Sequence, residues 1–149
     1  MNTTPILLVE DNEDNVFLVR HATHKAGVTT PLEVVTSGEQ AIEYLRGTNG
    51  YSDWHRFPLP ALVLLDLKMP GMSGFDVLKW IRQQPGFKTL RVAILTSSDM
   101  PSEIKTAHEL GANIFLTKPL ELERLVQIMK TLNEHWLKQA QSPTVSRER

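Results

Sequence analysis

The chain has 149 residues, of which 41% are hydrophobic and 22% are charged, and its formal net charge is −1. These values suit a single globular domain, and the scattered Lys and Arg residues do not indicate a nucleic-acid partner. Without cysteine, the chain has no disulfide, no thiol chemistry and no cysteine-ligated metal. The N-terminus does not resemble a signal peptide and no apolar run reaches transmembrane length, so we expect a cytoplasmic protein that does not enter a membrane.

Short apolar runs alternate with helix-like segments along the chain. In chain order, the pattern predicts a strand at residues 6–9, a helix at 14–26, a strand at 32–35, a helix at 38–46, a strand at 61–65, a helix at 74–83, a strand at 92–95, a helix at 102–110, a strand at 114–116 and a helix at about 121–138. The strand runs are almost continuously apolar, which is typical of strands covered on both faces. The expected fold is therefore α/β, with a doubly wound, five-stranded parallel sheet and helices on both faces.

Two segments interrupt this alternation. Residues 47–60 form a long insertion before the third strand, and the aromatic residues Tyr51, Trp54 and Phe57 predict that it packs against the domain. Residues 139–149 are polar and lack periodicity, so we expect a disordered tail after a domain at residues 1–138.

Reactive residues follow four of the five predicted strands. They are Glu10 and Asp11 after the first strand, Asp66 after the third, Thr96 after the fourth and Lys118 shortly after the fifth. Because ligands of open α/β sheets bind beyond the carboxyl ends of the strands, we expect these residues to converge on one crevice. Singly, an aspartate after a strand is most often a helix N-cap and a lysine is usually solvated. Four such coincidences at one edge favour a functional site.

The three acids predict a cation. Carboxylates that share one crevice repel each other unless a proton or a cation lies among them. Oxygen ligands around an open site favour Mg²⁺, which retains several of its waters. Together with Lys118, this cation would neutralise a phosphoryl group.

Four motifs carry a family resemblance. They are LLVEDNEDN at residues 7–15, LLDLKMPGMSG at 64–74, ILTSS at 94–98 and FLTKP at 115–119. In order, spacing and position at strand ends, they resemble the receiver domain of two-component response regulators, over residues 5–137. The resemblance implies a flavodoxin-like fold. The long insertion and the extended last helix are more specifically similar to the single-domain regulators that partner phytochrome histidine kinases.

The resemblance implies a role for each site residue. Asp66 is the phosphoacceptor, Glu10, Asp11, Asp66 and the main-chain carbonyl of Lys68 hold Mg²⁺, Lys118 contacts the phosphoryl group, and Thr96 and Phe115 are the switch hydroxyl and switch aromatic residue. A sensor histidine kinase, by this resemblance a phytochrome, is the expected phosphoryl donor. Phosphorylation would then change the surface formed by the fourth helix, fifth strand and fifth helix. We expect a non-enzyme that assists its own phosphorylation and dephosphorylation, and we see no DNA-binding domain.

The first predicted helix offers a candidate docking surface. Its buried stripe is expected to comprise Val16, Val19, Thr23 and Ala26. Phe17 and Leu18 lie off this stripe. Scattered apolar surface residues are common, but the resemblance makes Asn15 and Leu18 candidate kinase-docking positions.

The last predicted helix has apolar residues at intervals of three and four. They are Leu122, Leu125, Met129, Leu132 and Trp136. A core-facing stripe explains the first part of this repeat. Trp136 is expected to lie past the core, which favours a homodimer through the fourth helix, fifth strand and fifth helix.

Two alternative functions remain. A Mg²⁺-dependent phosphohydrolase with an aspartyl-phosphate intermediate, similar to haloacid-dehalogenase proteins, requires a second aspartate two residues after the nucleophile, where this chain has Lys68. An interaction module that works without phosphorylation does not require the acids, hydroxyl and lysine that are all present here. We therefore favour the response regulator.

Overall fold

A computed structural model describes residues 4–96, 100–117, 121–137 and 145–147. Within them, five parallel strands form one sheet: β1 (Ile6–Val9), β2 (Leu32–Val35), β3 (Leu62–Leu65), β4 (Val92–Thr96) and β5 (Ile114–Thr117), in the order β2-β1-β3-β4-β5. The helices are α1 (Glu13–Lys25), α2 (Gly38–Arg46), α3 (Gly74–Gln83), α4 (Pro101–Glu109) and α5 (Leu122–Leu132), which continues into a π-helical turn at Asn133–Leu137. The predicted α/β fold is confirmed. Among the described helices, none has the length and apolar character needed to cross a membrane.

Helix caps explain why some boundaries differ from prediction. The Asn12 side chain accepts hydrogen bonds from the main-chain N–H groups of Asp14 and Asn15, so α1 begins at Glu13. Proline is favoured in the first turn of a helix because its missing N–H has no partner there, and α4 accordingly begins at Pro101.

The sheet separates two apolar layers. In β1, Leu7 and Val9 face the cluster that includes residues of α2 and α3, whereas Ile6 and Leu8 face the cluster that includes residues of α1 and α5. All four side chains are at most 1% exposed. This burial on both faces is why β1 is continuously apolar.

The insertion at residues 47–60 packs against α2, as its aromatic content predicted. The rings of Tyr51 and Phe57 lie 5.1 and 5.9 Å from the buried ring of Tyr44. The Tyr44 hydroxyl donates to the Pro58 carbonyl at 2.9 Å, and Trp54 Nε1 donates to the Gly47 carbonyl at 2.8 Å. Two polar anchors therefore fix an otherwise aromatic contact.

Arg82 joins three segments at the far end of α3. Its guanidinium donates to the carbonyls of Gly111 at 2.8 and 3.1 Å, Phe87 at 3.0 Å and Leu90 at 2.7 Å. Partial burial lowers the pKa of Arg82 from its usual value. The side chain thus ties α3 to the segment before β4 and to the turn between α4 and β5.

Residues 145–147, which belong to the tail expected to be disordered, contact the domain. Ser146 N–H donates to the Gly86 carbonyl at 3.0 Å, and Arg147 donates to the carbonyls of Tyr44 and Leu45 at 2.9 and 3.0 Å. The carbonyls of the last helical turn lack partners within the helix, and composition alone does not reveal that a distant arginine will reach them. The domain boundary at residue 138 stays a prediction.

Trp136 also differs from its predicted position past the core. It lies in the π-helical turn, is partly buried and packs against the apolar cluster shared by α1 and α5. The Arg91 guanidinium lies 5.3 Å from its ring centroid and donates to its carbonyl at 3.3 Å. Arg91, which directly precedes β4, contacts both the ring and the carbonyl of Trp136, and it therefore holds the ring against the domain.

Candidate metal centre at the strand ends

Three acids meet beyond the carboxyl ends of β1 and β3. Carboxylate oxygens of Glu10, Asp11 and Asp66 all lie within 4.8 Å of one another. The cause is strand register, because Val9 pairs with Leu65 and the Asp66 N–H donates to the Val9 carbonyl at 3.1 Å. The predicted convergence of these three residues is therefore present.

Burial and hydrogen bonds distinguish the three carboxylates. Glu10 and Asp66 are 1% and 6% exposed, whereas Asp11 faces solvent. Glu10 accepts from the main-chain N–H of Asn12 at 3.2 Å, and Asp66 accepts from that of Lys68 at 3.1 Å. Two carboxylates are thus held by the main chain and the third leaves the cluster open on one side. Hard oxygen donors around an open position fit Mg²⁺ or a similar divalent cation.

The loop after Asp66 folds back on the phosphoacceptor candidate. Ser73 and Asp76 form a capping box at the start of α3, and the Gly74 N–H donates to the Leu67 carbonyl at 3.1 Å. A Cβ at Gly74 would lie 2.7 Å from Leu67 Cα and 2.9 Å from the Asp66 carbonyl carbon. Only glycine permits this approach, so Gly74 helps to set the position of Asp66.

The predicted hydroxyl and switch residues lie on adjacent strands. Thr96 is fully buried at the end of β4 and pairs with Thr117, the last residue of β5. Phe115 pairs with Ile94 and packs, partly buried, against the α2 and α3 cluster. Lys118, directly after Thr117, lies outside the described residues. The structure therefore brings together the acids and the strand carrying Thr96, and leaves the lysine as a prediction.

An ion pair beside the site was missed by the sequence reasoning. Lys68 Nζ lies 3.1 Å from Glu103 Oε2, in the first turn of α4. Lys68 was assigned only a main-chain role, because no periodic pattern links two charges so far apart in the chain. The pair connects the loop after Asp66 to α4.

The docking candidates lie on α1 with unequal exposure. Asn15 N–H is bonded to the cap residue Asn12, and Leu18 is half-buried against the core. Phe17 is 70% exposed and its ring stacks on that of His21, with centroids 6.0 Å apart. The fully buried stripe consists of Val19, Ala22 and Thr23. Val16 and Ala26 of the predicted stripe pack, partly buried, against the same cluster, and Ala22 joins it, so Phe17 is the freer apolar surface.

Comparison with known families agrees with this site. The response regulator receiver domain family matches residues 6–130. Response regulator Rcp1 of Synechocystis sp. is 31% identical over 138 residues, which span 93% of this chain and 92% of Rcp1. A solved structure of Rcp1 is a Mn²⁺-bound form, with a TM-score of 0.81 to this chain.

Two further solved structures cover almost the whole chain. Response regulator RPA3017, from red light signaling of R. palustris, has a TM-score of 0.88 and 31% identity, covering 95% of this chain and 99% of its own. The phosphorylated cyanobacterial phytochrome response regulator RcpA has a TM-score of 0.81 and 36% identity, covering 96% of this chain and 100% of its own. With sequence identities of 31% and 36%, these similarities indicate a shared family and not only a shared fold.

Proposed function

This chain belongs to the response regulator receiver family, and we propose that it accepts a phosphoryl group on Asp66 from a sensor histidine kinase. The observation that carries the proposal is the meeting of Glu10, Asp11 and Asp66 at the end of adjacent strands. In the reaction, an Asp66 carboxylate oxygen attacks the phosphorus of a phosphohistidine. The P–O bond forms as the P–N bond breaks, and the imidazole nitrogen leaves with the electron pair and takes a proton.

The acids and the loop after Asp66 prepare the nucleophile. Glu10, Asp11, Asp66 and the main-chain carbonyl of Lys68 are the groups that would hold Mg²⁺. When bound, the cation supplies positive charge that stabilises the transferring oxygens. The hydrogen bond from the Lys68 N–H orients one Asp66 oxygen, so the other is directed to the phosphorus. Lys118 follows β5 directly and is proposed to neutralise the phosphoryl oxygens.

Phosphorylation is proposed to change the surface of α4, β5 and α5. The acyl phosphate adds a charge of about −1.5 to −2 and three acceptor oxygens next to Thr96 and Lys68. Thr96 donates to one of them, and Phe115, only partly buried now, turns inward. The phosphoryl group also competes with Glu103 for the Lys68 ammonium, which loosens the contact between the site and α4. The inward turn of Phe115 and the loosened contact with α4 both favour the second of two conformations of this surface.

The relatives and the surface support a proposal for the kinase class and for the output. Regulators tied by name to phytochrome and red light cover this chain almost completely, which supports a phytochrome as the donor. An apolar groove of about 240 Å³ between β5 and α5, lined by Ile114, Leu116 and Ile128 among others, supports a protein partner at this face. We propose a homodimer there, with Trp136 at its margin.

Phosphoryl transfer from acetyl phosphate tests the assignment without a kinase. Incubation with acetyl phosphate and Mg²⁺ should add one phosphoryl group by intact mass. Asp66→Asn should remain unlabelled, and Asp11→Asn should lose Mg²⁺-dependent labelling because it removes one of the charges that would hold the cation. Labelling of Asp66→Asn at the wild-type rate would reject the phosphoacceptor. A wild type that never labels, from acetyl phosphate or from a kinase, would favour a module that works without phosphorylation.

A further inference from the structure

A second groove lies at the opposite end of the domain from the acids. It is formed by the C-terminal turn of α2, the insertion at residues 47–60 and the 3-10 turn Pro85–Phe87. Helices of a parallel α/β sheet run against the strands, so their C-termini lie at the amino ends of the strands. Residues 145–147 of the same chain lie in this groove and contact all three of its walls.

Arg147 makes the most specific contacts in the groove. Its Nε and Nη2 donate to the carbonyls of Leu45 and Tyr44, at 3.0 and 2.9 Å. These carbonyls belong to the last turn of α2, where the helix dipole is negative and favours a cation. The guanidinium carbon also lies 5.2 Å from the Trp54 ring centroid and 5.8 Å from that of Tyr44. The planar fork of an arginine suits both contacts, whereas a lysine can satisfy only the charge.

Ser146 and Val145 fix the path of the segment. The Ser146 N–H donates to the Gly86 carbonyl, so this hydrogen bond is made by the main chain. A Cβ at Gly86 would lie 2.9 Å from the Ser146 carbonyl carbon and nearer still to its oxygen. Val145 packs, partly buried, against the α2 and α3 cluster. The groove therefore favours a segment with an apolar residue, a next residue whose main chain approaches Gly86 closely, and then an arginine.

We infer that this groove is a binding site for an extended, arginine-containing peptide, and that residues 145–147 of the same chain are its ligand. Trp54 connects the ligand to the insertion, because its ring contacts Arg147 while its Nε1 donates to Gly47. Occupancy of the groove thus adds a further link between the insertion and α2, beside the contacts of Tyr44. The inference does not depend on phosphorylation of Asp66.

Hydrogen exchange on the full-length chain tests the ligand within the same molecule. Arg147→Ala removes two hydrogen bonds to a charged donor, and Gly86→Ala blocks the approach of Ser146. Either change should raise exchange of the amides at residues 47–60 at least about tenfold. Arg147→Lys should have an intermediate effect. Ser146→Ala is the matched control, and it should leave exchange unchanged because the main-chain N–H remains.

Binding in trans tests whether the groove recognises a peptide. The full-length Arg147→Ala variant keeps the groove while its own ligand is disabled. A synthetic peptide with the sequence of residues 142–149, added in large excess, should restore slow exchange at residues 47–60. The same peptide with alanine in place of the Arg147 equivalent should fail, as should the wild-type peptide with the Gly86→Ala, Arg147→Ala double variant.

Three results would overturn the inference. Unchanged exchange in Arg147→Ala would remove the role of the ligand. Equal restoration by the alanine peptide would remove arginine specificity. Protection of the wild-type insertion that rises with protein concentration would assign the ligand to a second copy instead of the same chain.

Discussion

A methyl group at Gly74 should displace the phosphoacceptor. The added Cβ would lie 2.7 Å from Leu67 Cα and 2.9 Å from the Asp66 carbonyl carbon, whereas ordinary contact begins at 3.4 Å. Both neighbours are main chain, so they cannot rotate away and must move by about 0.5 Å or more. Because shifts of this size disturb catalytic geometry, Gly74→Ala should slow labelling of Asp66 by acetyl phosphate by about tenfold to a hundredfold.

The same change should also lower stability. Overpacking of this kind typically costs about 1–3 kcal/mol, and replacing glycine by alanine in a helix returns about 0.5–1 kcal/mol. The net loss, about 1 kcal/mol at the middle of these ranges, should lower Tm by roughly 2–4 °C for a domain of this length.

Gly50→Ala provides the matched control for both measurements. A Cβ at Gly50 would meet nothing within 4 Å, and the residue is exposed. Its labelling rate should equal that of the wild type, and its stability should change by no more than about 0.5 kcal/mol. If Gly74→Ala behaves like Gly50→Ala in labelling and in thermal unfolding, the close approach at Gly74 does not position Asp66.

Five further variants test other parts of the domain. Arg82→Met leaves several carbonyls without their donor and should lower the free energy of unfolding in urea by about 2–4 kcal/mol; a loss below 0.5 kcal/mol would show that the contacts are dispensable. Burial raises the pKa of Tyr44, so its contribution to stability is present below the unfolded pKa of about 10 and declines as pH rises above it. Tyr44→Phe should therefore reduce the loss of unfolding free energy between about pH 9 and 11, and an unchanged pH profile would contradict this. Leu18→Ala should slow transfer from the kinase while acetyl phosphate labelling stays normal, and equal loss with both donors would indicate misfolding; Phe17→Ala tests the more exposed neighbour in the same assay. Beryllofluoride should strengthen the proposed dimer by about 1–3 kcal/mol, and Trp136→Ala should weaken it, both measured by sedimentation. The Tm of the variant records any loss of core packing. A wild type that stays monomeric would reject the dimer.

The strands and the acids could be predicted from the sequence because both depend on local pattern and topology. Apolar runs, interrupted only by Glu33 in β2, predicted the observed bounds of β1 and β2, and parallel pairing then placed the residues after β1 and β3 side by side. Neither step requires knowledge of how individual side chains pack.

Most of the missed contacts join residues that are distant in the chain. Arg82, Arg147 and the Lys68–Glu103 pair act through main-chain carbonyls or single charges, and these leave no period in the sequence. The predicted position of Trp136 was wrong because a helical repeat predicts which face of a helix is apolar, but not how far along the helix the rest of the domain covers that face. Arg91, which comes from another element, determines that the ring stays on the domain.

The contacts of Arg82 have a consequence for how freely this sequence can vary. Three of its acceptors are the carbonyls of Phe87, Leu90 and Gly111, and every amino acid supplies a carbonyl. The exposed side chain of Lys88, between two of these acceptors, donates to the Arg82 carbonyl, so replacing it removes that bond but none of the three made by the Arg82 guanidinium. Natural sequence variation in this segment, or a mutant library at its exposed positions, should alter the surface of the domain. Arg82 should preserve the path of the main chain in such variants.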